Sequence, residues 1–461
     1  MRARIALAFL LVVLGAWLAP SAFAQSSTPS PIVVASQTYQ VNFPQGMRFT
    51  LDASSVAPIQ IVRLTVWQRG VALGARYSPS FVPSNRVRVS FDWSFQMFAE
   101  GGYLPPGTHG EYSWHIEDAA GNVYDTPHEK YTVEDRTKKW QVMENDALRV
   151  SWHAGEGDFG KAVFERAMLA RDFLANKLGV QNIAPLEVYI YADRDEFFKS
   201  LPAYSYEWTG ARMFPEYGVI LINFDPDNLA WGLRTTSHEL SHAILHAKIR
   251  GVLGDIALPL WLDEGLAVYN ETDDHAPDEQ MEEAYQAALK KDTLIPLRAL
   301  QQRFPSNSSQ AQLAYGQSYQ VVKFMVDAYG EEKFAELLNI YQNGALPDEG
   351  LQQVYGMNQD QLENAWRAKI GVPLRDVSVF ALPTVAPLPT FEFSSSLDAT
   401  PTPTREIVPS PEPTRVSELA TPPAAGATPA QTPSAPVNSL CGAAFALGGL
   451  VIFGVAKRKR R

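Results

Sequence analysis

The chain is predicted to be multidomain: an all-β N-terminal domain, an α+β domain whose C-terminal part is mostly helical, then an unfolded stalk and one transmembrane helix. Three observations predict this. Short alternating apolar runs divided by Pro, Gly and Asn fill residues 32–134. From residue 140 to 372 the apolar period lengthens to that of helices, with two strand patterns among them. After residue 383 Pro, Thr, Ser and Ala take over, until a last apolar run and a basic tail. At 461 residues the chain is too long for one ordinary core.

Arg2 and Arg4 precede the apolar run Ile5 to Leu18, and Ala22-Phe23-Ala24 follows. That order predicts a signal peptide over residues 1–24, cleaved after Ala24; the short run and the small-x-small site weigh against an uncleaved anchor. In the next region, Gln60 to Trp67 and Arg86 to Phe91 alternate, Tyr112 to Asp118 forms another strand, and Ala120-Gly121-Asn122 a turn. Strands at this spacing predict a β-sandwich of immunoglobulin or fibronectin type III kind, the second being closer because no Cys pair is present. His109, His115 and His128 have no ligand spacing and read as surface or strand residues. Cys441 is the only cysteine, so no internal disulfide forms and packing must supply stability.

In the second domain, Phe159 to Leu178 reads as an amphipathic helix ended by Gly179, and Leu186 to Tyr191 and Tyr217 to Asn223 as strands. Helical periodicity returns over 278–291, 310–329, 331–342 and 359–370. The chemistry concentrates in Thr235 to His246, which contains H-E-x-x-H. Residues four apart on a helix lie about 6 Å apart along its axis and nearly share a face. His238 and His242 can therefore offer two imidazole nitrogens to one ion, with Glu239 beside it but outside the ligand set. A third ligand from a carboxylate leaves one coordination position open, the arrangement with which catalytic zinc holds and acidifies a water. Glu264, in Pro259-Leu260-Trp261-Leu262-Asp263-Glu264-Gly265-Leu266-Ala267, lies 22 residues after His242. Gly251 and Gly254 allow the chain to turn between the two helices. The rival spacing with Gly at 245 and His at 248 is excluded by Leu245 and Lys248. His246 stands about 12 Å along the helix from His238, too far to share one ion, and reads as packed or partly solvated. H-E-x-x-H alone also fits an ordinary surface-to-core helix; the second motif at a workable distance favours metal.

These two motifs resemble the gluzincin metallopeptidases, and among them the aminopeptidase-N-like or peptidase MA-like group, over residues 140–372. The resemblance implies a zincin-like peptidase domain with Zn2+ on His238, His242 and Glu264. It also implies that Glu239 is the general base, taking the water's proton and passing it to the leaving amine. Tyr315 opens a helical pattern closing on Tyr329-Gly330, and the resemblance makes it a hydrogen-bond donor to the tetrahedral intermediate, with Tyr319 as the fallback. Aromatics at helical spacing also serve as core. The strand holding Gly218 and Val219 is implied to be the sheet edge that pairs with an extended peptide. The sequence departs from true aminopeptidases at their G-x-M-E-N segment. Near Gly218 the amine-gripping Glu of that segment has no clear counterpart, with Pro215 and Glu216 just before the glycine, which points toward an endopeptidase or an enzyme of unknown end preference.

Residues 383–438 cannot bury enough apolar surface to fold and read as a semi-extended stalk. Residues 440–456 are apolar, at the short end of what spans a bilayer, and the basic tail 457–461 marks the cytoplasmic side. Ser439-Leu440-Cys441-Gly442 before them resembles a prokaryotic sorting signal. Removing the five positive charges of Lys457 to Arg461 takes the net charge from −11 to −16, which argues against nucleic acid as a partner. Asn270-Glu271-Thr272 and Asn307-Ser308-Ser309 are formal glycosylation sequons. The expected protein is thus an extracytoplasmic, membrane- or surface-anchored zinc peptidase, with peptide or protein substrates and the membrane as partners. The alternative is a non-enzymatic adhesion or scaffold protein whose peptidase-like domain is inert.

Overall fold

A computed structural model describes residues 30–69, 73–96, 102–203, 205–206, 209–250 and 258–376. The expected signal peptide, stalk, apolar segment and basic tail lie outside the described residues, as do Gly251 and Gly254. Among the described residues no helix is long and apolar enough to cross a membrane. The chain divides into two compact units, Met1–Lys139 with Lys199–Ala203, and Trp140–Phe198 with Tyr204–Arg461.

The first unit is rich in sheet: β1 (Ile32–Asn42), β2 (Gly46–Gln68), β3 (Ala75–Tyr77), β4 (Ser84–Ser94), β5 (His109–Asp118), β6 (Val123–Asp125) and β7 (Glu129–Thr132). All pairings are antiparallel. The organising element is the long β2. Its first part, from Gly46 to Ser55, pairs with β1 and β4; its second, from Ile59 to Gln68, pairs with β5 and β3. Register shifts near Ile59, beside Pro58, let the strand bend there without ending, as a bulge does. The two leaves then face each other: Phe49 of the first leaf lies 4.9 Å from Tyr112 and 5.8 Å from Tyr131 of the second, ring centre to ring centre. The expected sandwich of two separate sheets is corrected accordingly. The leaves face as in a sandwich, but β2 runs through both, so all seven strands form one hydrogen-bonded sheet. The three histidines have local partners: His109 meets Thr132 at 2.9 Å, His115 meets Asp125 at 2.7 Å, and His128 stacks on Trp67.

The second unit opens with β8 (Gln141–Glu144), β9 (Leu148–Trp152), α1 (Gly157–Leu178), β10 (Leu186–Tyr191) and α2 (Arg194–Lys199). The hairpin β11 (Ala211–Phe214) and β12 (Val219–Asn223) and the helix α3 (Leu229–Ile249) follow. The five strands order as β11-β12-β10-β9-β8, with the central three parallel and the two outer strands antiparallel to their neighbours. Gly179 adopts φ +64° and ends α1 in the left-handed conformation that favours glycine. The remainder is helical: α4 (Leu260–Tyr269), α5 (Glu279–Lys291), α6 (Ser308–Tyr329), α7 (Glu331–Gln342), α8 (Pro347–Tyr355) and α9 (Gln359–Ile370).

Helix α3 sits between two cores. Leu240 and Ala243 join Val163, Ala167 and the sheet residues Val188, Ile190, Ile220 and Ile222. Ile244 and Leu245 join Trp261, Leu262, Leu266, Val322, Leu337 and Trp366 of the helical layer. Every residue from Thr235 to His246 is therefore buried, on all faces of the helix. Polar side chains in that stretch must find partners inside the protein.

The edge-strand expectation for Gly218 and Val219 is overturned. Val219 pairs with Phe214 on one side and Glu187 on the other, so β12 is an inner strand and β11 is the edge. Gly218, at φ +70°, belongs to the hairpin turn with Pro215 and Glu216. Pro215 and Glu216 thus lie in a turn, outside both strands of the hairpin.

Candidate metal centre

Two helices build the site. α3 starts after a single turn in which the Asp225 side chain accepts from the backbone N–H of Asp227 and Asn228. Gly232 is needed there: a Cβ would fall 2.0 Å from the Phe224 ring. One turn of helix then places His238 and His242 on the same face. α4 follows Pro259 at its N-cap, whose missing N–H costs nothing there, and all ten residues of the helix are buried. It presents Asp263 and Glu264 to α3. Its close neighbour is α6, since a Cβ on Gly265 would come within 2.5 Å of the Ser318 carbonyl oxygen.

The geometry brings His238, His242 and Glu264 together. The two Nε2 atoms are 3.1 Å apart, and each lies 3.3 Å from Glu264 Oε2. On the far side of each ring, Nδ1 meets a carboxylate: His238 with Glu271 Oε1 at 2.9 Å, His242 with Asp263 Oδ1 at 2.6 Å. A carboxylate accepts, so each Nδ1 carries the proton and each Nε2 is left with its lone pair. Two lone pairs and a carboxylate oxygen thus converge with no hydrogen to share, an arrangement that a cation stabilises. The spacing comes close to that of zinc ligands, because atoms 2.0–2.2 Å from a tetrahedral zinc lie about 3.3–3.6 Å from one another.

Burial pushes the Asp263 carboxyl up, and His242 and His246, which donate to its two oxygens, outweigh that and hold it below the usual carboxylate range. Glu239 is fully buried on the same helix, between the two histidines in sequence. Tyr315, on α6, has its ring centre 6.3 Å from that of His238 and packs on Phe304 at 5.0 Å. The Tyr319 hydroxyl donates to the His275 carbonyl at 2.7 Å.

Several contacts around the site were not anticipated. Glu271, just past the end of α4, has its second oxygen held by Arg234 Nε. Arg166 of α1 donates to the Glu271 carbonyl at 2.9 Å and to Ser237 Oγ at 2.5 Å. His246 is buried, with Nε2 3.1 Å from Asp263 Oδ2. The visible signals were slight: His246 lies one turn beyond His242, and Asp263 adjoins Glu264. Asn270 is buried with its amide donating to Ser241 Oγ at 3.2 Å, so the first sequon is closed to a glycan in the folded chain.

No curated protein matches the chain. Among solved structures, an M1 zinc metallopeptidase from Deinococcus radiodurans aligns at 14% identity, covering 73% of this chain and 94% of that one, with a TM-score of 0.34. An aminopeptidase N family protein from Idiomarina loihiensis aligns at 8% identity over 75% of each chain, also with a TM-score of 0.34. Residues 167–372, which contain His238, His242 and Glu264, match the family model of the Peptidase MA superfamily.

Proposed function

We propose that residues 140–372 form a zinc-dependent peptidase that hydrolyses peptide bonds. The observation that carries this reading is the triangle of His238 Nε2, His242 Nε2 and Glu264 Oε2, with sides of 3.1, 3.3 and 3.3 Å and both Nδ1 positions tied to carboxylates. The Peptidase MA match over 167–372 supports it. Zinc held by these three residues would supply Lewis acidity to a water and to the scissile carbonyl. Glu239 takes the proton of the attacking water and delivers it to the leaving amine. Tyr315, beside His238, donates its hydroxyl to the oxyanion that develops on the substrate. Glu271 and Asp263 keep both imidazoles in the tautomer that binds metal. An extended peptide would add alongside β11, the edge strand, taking main-chain hydrogen bonds there.

Export and surface attachment belong to the same proposal. They rest on the order of the N-terminal 1–24 segment, the 383–438 stalk, the apolar 440–456 segment and the basic tail. Protease shaving of intact cells tests them: release of the folded domain supports them, and protection of it refutes them.

For the chemistry, Glu239→Gln is compared with the parent chain on a broad peptide library, with zinc content measured on both. The expected result is unchanged zinc and no turnover in the variant. Retained cleavage by Glu239→Gln defeats the mechanism, and stoichiometric zinc with no cleavage by the parent leaves the domain a binding module.

A further inference from the structure

His246 lies outside the ligand triangle, yet it is buried one helical turn beyond His242. Between the two rings stands a single carboxylate. Asp263 Oδ1 is 2.6 Å from His242 Nδ1, and its Oδ2 is 3.1 Å from His246 Nε2. The other half of the site is built in the same way with a different outer group. Glu271 takes the His238 Nδ1 proton on one oxygen, and its other oxygen accepts from Arg234 Nε. His246 therefore occupies, on the His242 side, the place Arg234 occupies on the His238 side.

His242, His246 and Asp263 also have a composition that could hold a second metal ion. The distances decide against it. Ligand atoms sharing a tetrahedral ion at 2.0–2.2 Å sit about 3.3–3.6 Å apart, whereas 2.6 Å between His242 Nδ1 and Asp263 Oδ1 is the length of a strong hydrogen bond. The His242 Nε2 lone pair is moreover directed to Glu264 and His238. The trio is a hydrogen-bonded chain.

We infer that His246 is a positioning residue for the metal centre, donating from Nε2 to Asp263 Oδ2 and so fixing the carboxylate that orients His242 through Nδ1. A carboxylate has two equivalent oxygens and rotates about its own axis unless both are engaged. With Oδ2 held, Oδ1 stays in line with the His242 ring, and Nε2 stays aimed at the triangle. This inference rests on the zinc reading above.

Zinc affinity, measured on the exported full chain by competition with a chromophoric chelator, tests it without recourse to activity. Five forms are compared: parent, His246→Leu, His246→Gln, Asp263→Asn, and His246→Leu combined with Asp263→Asn. His246→Leu is expected to weaken zinc binding about 10–100-fold, the usual cost of losing an outer partner of a ligating histidine. His246→Gln, whose side-chain amide N–H reaches the same oxygen, should stay within about threefold of the parent. On the Asp263→Asn background His246→Leu should cost less than about threefold, because the path through Asp263 is already altered. The d–d spectrum of the cobalt-substituted forms should shift with His246→Leu and not with His246→Gln.

Parent-like affinity of His246→Leu overturns the inference. So does an equal loss on both backgrounds, which is the behaviour of a residue that only packs. Should His246→Leu fail to fold, judged by circular dichroism, His246→Asn replaces it. Its shorter amide falls short of Oδ2, so it is expected to bind zinc more weakly than His246→Gln, and equality of the two overturns the inference. Absence of zinc binding by the parent removes the zinc reading itself, an outcome distinct from any pattern among the His246 variants.

Discussion

Glu271→Gln isolates the outer partner of the first histidine with almost no change of shape. Glu271 is fully buried and accepts twice: from His238 Nδ1 at 2.9 Å and from Arg234 Nε. A glutamine has one acceptor and one donor in the same two places. If its amide nitrogen faces Arg234, two donors meet. If it faces His238, that imidazole must move its proton to Nε2, pointing a hydrogen into the triangle. The first arrangement loses a charge-assisted hydrogen bond worth about 1.5–3 kcal/mol of folding stability. Screening by solvent takes little from this, since the side chains of Arg234 and Glu271 are only 18% and 0% exposed. The second arrangement reduces zinc affinity about 10–100-fold, equivalent to about 1.4–2.7 kcal/mol. Denaturant unfolding with chelator present reads the first loss, and chelator competition reads the second. At least one should appear, and with saturating zinc the stability deficit includes both. A variant with the parent's denaturation midpoint and the parent's zinc affinity would refute the assignment of Glu271 as the anchor of His238.

Three further outcomes follow from other contacts. Gly265→Ala forces a Cβ to within 2.5 Å of the Ser318 carbonyl oxygen, so it should destabilise the protein by about 1–3 kcal/mol and lower zinc occupancy through its neighbour Glu264; an unchanged melting temperature contradicts the α4–α6 close approach. Tyr315→Phe should keep zinc and fold while kcat falls about 10²-fold, whereas Tyr319→Phe should cost about 1 kcal/mol of stability, for its hydrogen bond to His275, with kcat retained; the opposite pattern exchanges the two roles. The Ser55 hydroxyl and the Asn122 side chain hold the Asp118 carboxyl below the usual carboxylate range. Its folded value is lower than its unfolded one, so its contribution is complete above about pH 4 and is lost as pH falls through the folded value. Asp118→Asn should therefore flatten the acid-side loss of protection in β5, followed by hydrogen exchange, and identical pH profiles for parent and variant would contradict this.

Regular periodicity is what made parts of the fold legible. Leu186 to Tyr191 is apolar except for Glu187 because β10 is covered on both faces, and Gly179 marks the end of α1 because only glycine enters the left-handed region cheaply. The proximity of His238 and His242 follows from the helical repeat alone. The convergence of Glu264 needed a second motif, since no repeat connects residues on different helices. Short or interrupted elements were misread. β11 has four residues, one of them Arg212, and its pattern is too short to read as a strand, so the edge was assigned to β12 from the resemblance alone. Only Gln60 to Trp67 was read as a strand, whereas β2 begins at Gly46 and bends beside Pro58 without ending. Helix α8 begins at a proline and contains Gly350, features of a loop; the glycine is tolerated because the Tyr341 ring fills the space a Cβ would take, 2.5 Å away. The carboxylates behind the ligands were least visible, because Glu271 and Asp263 gain their roles only when α4 is laid against α3.

Crystals of the zinc-loaded chain, measured above and below the zinc absorption edge, test the convergence of the two helices most directly. One anomalous peak within about 2.0–2.2 Å of His238 Nε2, His242 Nε2 and a Glu264 carboxylate oxygen is predicted. Zinc bound at stoichiometry elsewhere, or a Glu264 carboxylate turned away from both imidazoles, would contradict it.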